Sequence, residues 1–181
     1  MGRVYERLDE QAVEFIQAQR MFFVATAPAG DDGLINLSPK GLDTFRIIDD
    51  RTVAYLDLVG SGIETVAHLR QNGRITLMFC AFEGAPNIAR LYGRGEAIEP
   101  GEADWDDLRA LFPEMPGVRS VIRVHVERGS DACGFGVPRY RYEEDRSTLL
   151  DWAQKKGPDA VEAYKGEKNR ESLDGLPGLR R

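Results

Sequence analysis

In the segment GLINLSPKGLDTF, residues 33–45, the residues able to do chemistry alternate with apolar ones: Asn36, Ser38 and Lys40 fall two apart. Side chains two apart on a strand share a face, so an extended chain here presents an amide, a hydroxyl and an ammonium together, with Ile35 and Leu37 opposite. A hydroxyl beside an ammonium can hold a phosphate through one neutral and one charge-assisted hydrogen bond. Taken alone, the same triplet also suits a solvated polar face. Pro39 lacks a ladder N–H, so the strand is expected to end or bulge there.

A second cluster lies in YLDLVGSGIET, residues 55–65, where a strand-like run passes through two glycines into a helix start. Free backbone N–H groups and the positive end of the helix dipole attract phosphate there, and Ser61 or Thr65 can add a hydroxyl. Ser61 and Glu64 also match the S-x-x-E capping box, which would satisfy the turn from within, and Glu64 would repel an anion placed too near it. A third cluster is ARLYGRGEA, where Arg90, Tyr92 and Arg94 share one face and Ala89, Leu91 and Gly93 the other. Arginines on an inward face can clamp phosphate, whereas on an outward face they are ordinary surface charges.

Other chemistries find no support. Neither GRGEAI nor GFGVPR completes a dinucleotide-binding fingerprint. His68 and His125 have no nucleophile or carboxylate at triad or metal spacing, so no catalytic residue and no metal site is assigned. Cys80 and Cys133 lack CxxC spacing and are expected to be buried thiols. A formal net charge of −6 argues against a nucleic-acid binder, which needs a basic stripe. The longest apolar stretch, MFFVATA, is too short to span a bilayer, and the charged N-terminus MGRVYERLDEQ does not read as a signal peptide, so a cytoplasmic protein is expected.

The elements that must position these groups follow from periodicity. Asp9 is expected to cap a helix over EQAVEFIQAQR, with Ala12, Val13 and Ile16 inward. MFFVATAPAG and LINLS read as a hairpin around DDG, and RTVAYLDLV as a third strand. A helix over residues 61–72 stops at Asn72-Gly73. RITLMFCAF, NIARLYGRGEAI and VRSVIRVHVER are further strands, with a helix over GEADWDDLRALF between the last two. Ser147 caps TLLDWAQKK, and Pro158 opens a last helix. The sum is an α+β protein: an antiparallel barrel over residues 1–145 and a helical C-terminal extension of the same domain over 146–181.

In order, LSPKG, YLDLVGSG, AHLRQNGRI and LYGRGEAI resemble the pattern of the pyridoxamine 5'-phosphate oxidase-like, FMN-binding split-barrel family over about residues 21–98. The resemblance implies a six-stranded antiparallel split β-barrel with flanking helices, forming a homodimer with FMN in the groove between subunits. It would place Ser38 and Lys40 at the flavin, Ser61, Gly62 and Thr65 at the phosphate-binding helix start, and Arg90 on the inward face of the next strand. Two departures stand out. Glu64-Thr65 occupies the place of the family's Arg-Lys pair, and the tail lacks the tryptophan and Arg-x-His segment that serve cofactor and substrate. ACGFGVP, DWAQKKG and LDGLPG instead resemble a functionally undefined branch. The implied function is an FMN-dependent oxidoreductase for a small-molecule substrate or electron donor, without pyridoxamine 5'-phosphate oxidase activity. The alternatives are a non-catalytic flavin-binding or sensing module and a deazaflavin-dependent reductase.

Overall fold

The structure is a computed structural model and describes residues 2–180. Among these residues eight antiparallel strands form one sheet: β1 (Val4–Tyr5), β2 (Phe22–Thr26), β3 (Asn36–Lys40), β4 (Phe45–Ile47), β5 (Thr52–Leu58), β6 (Arg74–Cys80), β7 (Ile88–Ile98) and β8 (Val118–Ala132). The hydrogen-bonded path runs β3-β2-β6-β7-β8-β5-β4, and β1 pairs with β8. Six strands of five residues or more are those expected from alternation. The two short ones, β1 and β4, raise the count from six to eight.

The sheet curls until its ends meet across a split. Phe22 of β2 and Phe45 of β4 bring their rings to 5.1 Å, and Lys40 of β3 reaches Asp57 of β5. Val53, Tyr55, Leu77, Leu91, Ile122 and Val124 fill the interior. β5 is covered on both sides, because Ala54 and Leu56 pack outward against Val121, Leu108 and Phe112. That double burial is why TVAYLDL reads as a nearly unbroken apolar run.

Among the described residues five helices surround the sheet: α1 (Glu10–Gln17), α2 (Glu64–Asn72), α3 (Trp105–Arg109), α4 (Thr148–Lys156) and α5 (Pro158–Lys168). The Asp9 carboxylate accepts the Ala12 N–H at 2.9 Å, and α1 buries Ala12 and Ile16 in the core. Gly73 ends α2 with φ +67°, a left-handed conformation that glycine adopts without strain. α3 is shorter than the expected helix, and Leu111 beyond its end is exposed. Ser147 precedes α4 but makes no capping bond; its hydroxyl donates instead to Asp151 at 2.6 Å. Cys80 is buried and Cys133 is exposed, which corrects the expectation of two buried thiols.

The extension is not a loose appendage. Ala153 of α4 and Val161 of α5 bury against Val59 at the end of β5, and Leu179 packs on the main core. Among the described residues no helix is long and apolar enough to cross a membrane.

Candidate functional site

A cavity of about 290 Å³ opens where β3 meets the start of α2. Asn36, Ser38 and Lys40 line one wall, Gly60, Gly62, Glu64 and Thr65 a second, with Arg119 of β8 and Leu149 of α4 completing it. The alternation read from 33–45 is therefore observed. Asn36, Ser38 and Lys40 are each half-buried on the cavity face, while Leu37 and Pro39 are exposed. Pro39 does not end the strand, because β3 is an edge and pairs only with β2.

A chain of polar contacts fixes this wall. Ser38 donates to Asn36 Oδ1 at 2.9 Å, and Asn36 Nδ2 donates to Thr65 Oγ1 at 3.0 Å and Thr26 Oγ1 at 3.1 Å. The Thr26 hydroxyl also lies 3.0 Å from His68 Nδ1, donating to it or accepting from it according to the His68 tautomer. Burial lowers the His68 pKa from its ordinary value, against the opposing pull of Asp174 and Glu64.

Below this wall lies a charge cluster that alternation did not reveal. Asp57 is fully buried; Arg119 contacts it through Nε at 2.7 Å and Nη2 at 3.2 Å, and Lys40 Nζ at 3.2 Å. Burial alone would raise the Asp57 pKa, but Arg119 and Lys40 outweigh it and hold the carboxyl below its ordinary value. Arg119 also donates to the Gly62 carbonyl at 2.7 Å. The available signal was Asp57 alone, a single charge inside the apolar run YLDLV, since Arg119 belongs to VRSVIRVHVER, where several charges alternate with apolar residues. An isolated charge in an apolar run calls for a partner.

The start of α2 differs from the capping-box expectation. Ile63 is the N-cap residue, with no side-chain capping bond, and Ser61 is exposed and does not line the cavity. The Glu64 carboxylate instead accepts the Leu173 N–H at 3.3 Å, and a Cβ on Gly62 would sit 2.3 Å from Glu64 Oε2. Among the described residues the Val59 N–H is bonded to Gly117 O and the Ala67 N–H to Ile63 O. Among the described residues, none of the backbone N–H groups between them, from Gly60 to Val66, meets a protein acceptor. Ordinary helix starts leave four such groups, so the donor run here extends back through the glycine turn.

Arg90 is not on the inward face. Ala89 and Leu91 are buried in the barrel, and Arg90 points to the outer side of the sheet, away from the residues lining the cavity. Cross-strand pairing sets it in the row Pro39–Phe23–Met78–Arg90–Ser130–Val4, beside the row Leu37–Ala25–Thr76–Tyr92. This outer face is mostly apolar, with Leu37 62% and neighbouring Ile35 78% exposed. Among the described residues Arg90 has no ion-pair partner. Arg139 and Arg141 are exposed in a segment without regular structure.

A curled antiparallel sheet with a donor-lined cavity at its split defines a protein of the split-barrel class. Residues 8–133 match the family described as pyridoxamine 5'-phosphate oxidase. The chain belongs to that family. It is 35% identical over 199 residues to the pyridoxamine 5'-phosphate oxidase family protein ustO of Aspergillus flavus, covering 97% of this chain and 77% of that one. Among solved structures it is similar to HupZ of Group A Streptococcus, at 26% identity and TM-score 0.52, covering 67% of this chain and 91% of that one. A putative pyridoxamine 5'-phosphate oxidase from Lactobacillus delbrueckii shares the fold at 20% identity and TM-score 0.55, covering 69% and 94%.

Proposed function

We propose that this chain binds a flavin, holding the phosphate end of FMN in the cavity between β3 and α2, and acts as a homodimeric oxidoreductase on a small-molecule substrate or electron donor. The observation that carries this reading is the unbroken run of unpartnered N–H groups from Gly60 to Val66 beside Lys40 and Thr65. Backbone donors at a helix start form an anion site without any basic side chain, which answers the loss of the Arg-Lys pair. The donor set fits a phosphate: Lys40 spends one contact on Asp57 and keeps further donors, and the Thr65 hydroxyl lies on the cavity wall. When bound, FMN supplies the electron-transfer chemistry. The residues of the chain bind and orient: the turn and Lys40 hold the phosphate, and Asn36 holds Thr65 and Ser38 in place.

Charge accounting supports the dimer. Within one chain the cations Lys40 and Arg119 are offset by Asp57 and Glu64, leaving no surplus for a phosphate dianion. The uncommitted Arg90 sits on the apolar outer face, where a second copy would cover Leu37 and Phe23 and bring Arg90 toward its partner's cavity. Family membership supports FMN over a deazaflavin.

Fluorescence titration with FMN tests the reading, and flavin absorbance in the purified protein supports it. A protein that quenches no FMN fluorescence up to saturating concentration overturns it. Reduction of bound FMN by a nicotinamide nucleotide, with reoxidation by an acceptor, separates an oxidoreductase from a binding module.

A further inference from the structure

We infer that Asn169, in the C-terminal extension, is a positioning residue that fixes the Gly60–Ile63 turn and so sets the affinity of the cavity for phosphate, an inference that rests on the flavin reading above. Asn169 is fully buried just beyond α5. Its N–H donates to Lys165 O, its carbonyl accepts the Leu179 N–H at 2.8 Å, and its Nδ2 donates to the Gly60 carbonyl at 2.9 Å. Among the described residues its Oδ1 is buried with no partner. An apolar side chain of the same size would avoid leaving that oxygen unbonded, so the fold keeps a polar residue here for its donor.

The donor matters because a peptide unit is rigid. Gly60 lines the cavity and Ser61 does not, so holding the Gly60 carbonyl fixes the peptide plane at which the cavity wall begins. Arg119 holds the carbonyl of the other lining glycine, Gly62, at 2.7 Å, and reaches the Gly60 carbonyl at the longer distance of 3.5 Å. With glycine at both positions, the turn has wide conformational freedom unless its carbonyls are held. The tail presses on the same place. A Cβ on Gly178 would meet Asn169 O at 2.2 Å and the Ile63 side chain at 2.9 Å. Turn, helix end and tail therefore pack as one unit, and Asn169 passes that packing to Gly60 on the cavity wall.

The experiment compares FMN with riboflavin, which lacks the phosphate, by fluorescence titration of the wild type, Asn169→Ala and Asn169→Leu. Loss of one orienting hydrogen bond should weaken FMN about tenfold and riboflavin by less than about twofold. Asn169→Leu keeps the volume and serves if Asn169→Ala fails to fold. Unchanged FMN affinity in a folded variant overturns the inference, as does an equal loss for both ligands. Failure of both variants to fold also overturns it, by making Asn169 purely structural. If the wild type binds neither ligand, the flavin reading fails. If it binds FMN and the variants match it, only this inference does.

Discussion

Asp57 and Arg119 meet inside the protein, 62 residues apart in sequence, with the guanidinium on both carboxylate oxygens and neither side chain more than slightly exposed. The pair ties β5 to β8 where the two strands slip register between Asp57 and Leu58. Through Arg119 it also anchors the Gly62 carbonyl, and through Lys40 it anchors the free edge of the sheet.

Breaking that pair should cost more than removing it. Asp57→Ala leaves two cations without their counter-charge, one of them buried, and should destabilise the fold by about 3–5 kcal/mol. Replacing both partners, as in Asp57→Leu with Arg119→Met, should recover much of that loss. Urea unfolding of the single and double variants reads this out. A double variant less stable than Asp57→Ala would show that the pair acts mainly through its further contacts to Lys40 and Gly62.

Lys40 and Arg90 are expected to serve the same phosphate from different chains. Lys40→Glu should weaken FMN binding by more than the roughly 1.5–3 kcal/mol of a charge-assisted hydrogen bond, since it adds repulsion. Arg90→Glu should also weaken it. Mixing the two variants under conditions that exchange subunits should restore one of the two sites in each mixed dimer. Recovery of FMN binding in the mixture, measured by equilibrium titration, supports Arg90 acting across the interface. No recovery, with mixed dimers confirmed by mass spectrometry, rejects it.

Stability should fall on acidification in two stages. The lowered pKa of buried His68 means that its unfolded form takes up a proton first. That contribution is complete above about pH 6.5 and is lost as pH falls toward the lowered folded value. The depressed pKa of Asp57 has the same sign at lower pH: its contribution is present above about pH 4 and is lost as pH falls through the folded value. His68→Asn should flatten the first stage. Denaturation midpoints from about pH 8 to 5 that decline equally in both proteins would remove His68 from the account.

Pyridoxamine 5'-phosphate should not be oxidised at a useful rate. That substrate carries its own phosphate and needs a second set of fixed cations, whereas Arg139 and Arg141 are exposed and away from the cavity. An assay of pyridoxal 5'-phosphate formation under air decides it, and turnover near ~1 per second would refute the expectation.

The amino-acid sequence by itself determined what is local. Period-two alternation put Asn36, Ser38 and Lys40 on one face, Asp9 and Gly73 punctuated their helices, and Gly62 and Thr65 marked the turn that lines the cavity. Tertiary structure decided what covers each face. Alternation separated Arg90 from Leu91 but could not say which side the barrel would enclose. Glu64 satisfied a capping motif on paper, yet its carboxylate went to the Leu173 N–H, 109 residues away. The Asp57–Arg119 pair and the Asn169–Gly60 contact likewise join distant segments. The reason is physical: residue spacing fixes which side chains share a surface, whereas burial and charge pairing depend on which distant surface the folded chain brings against it.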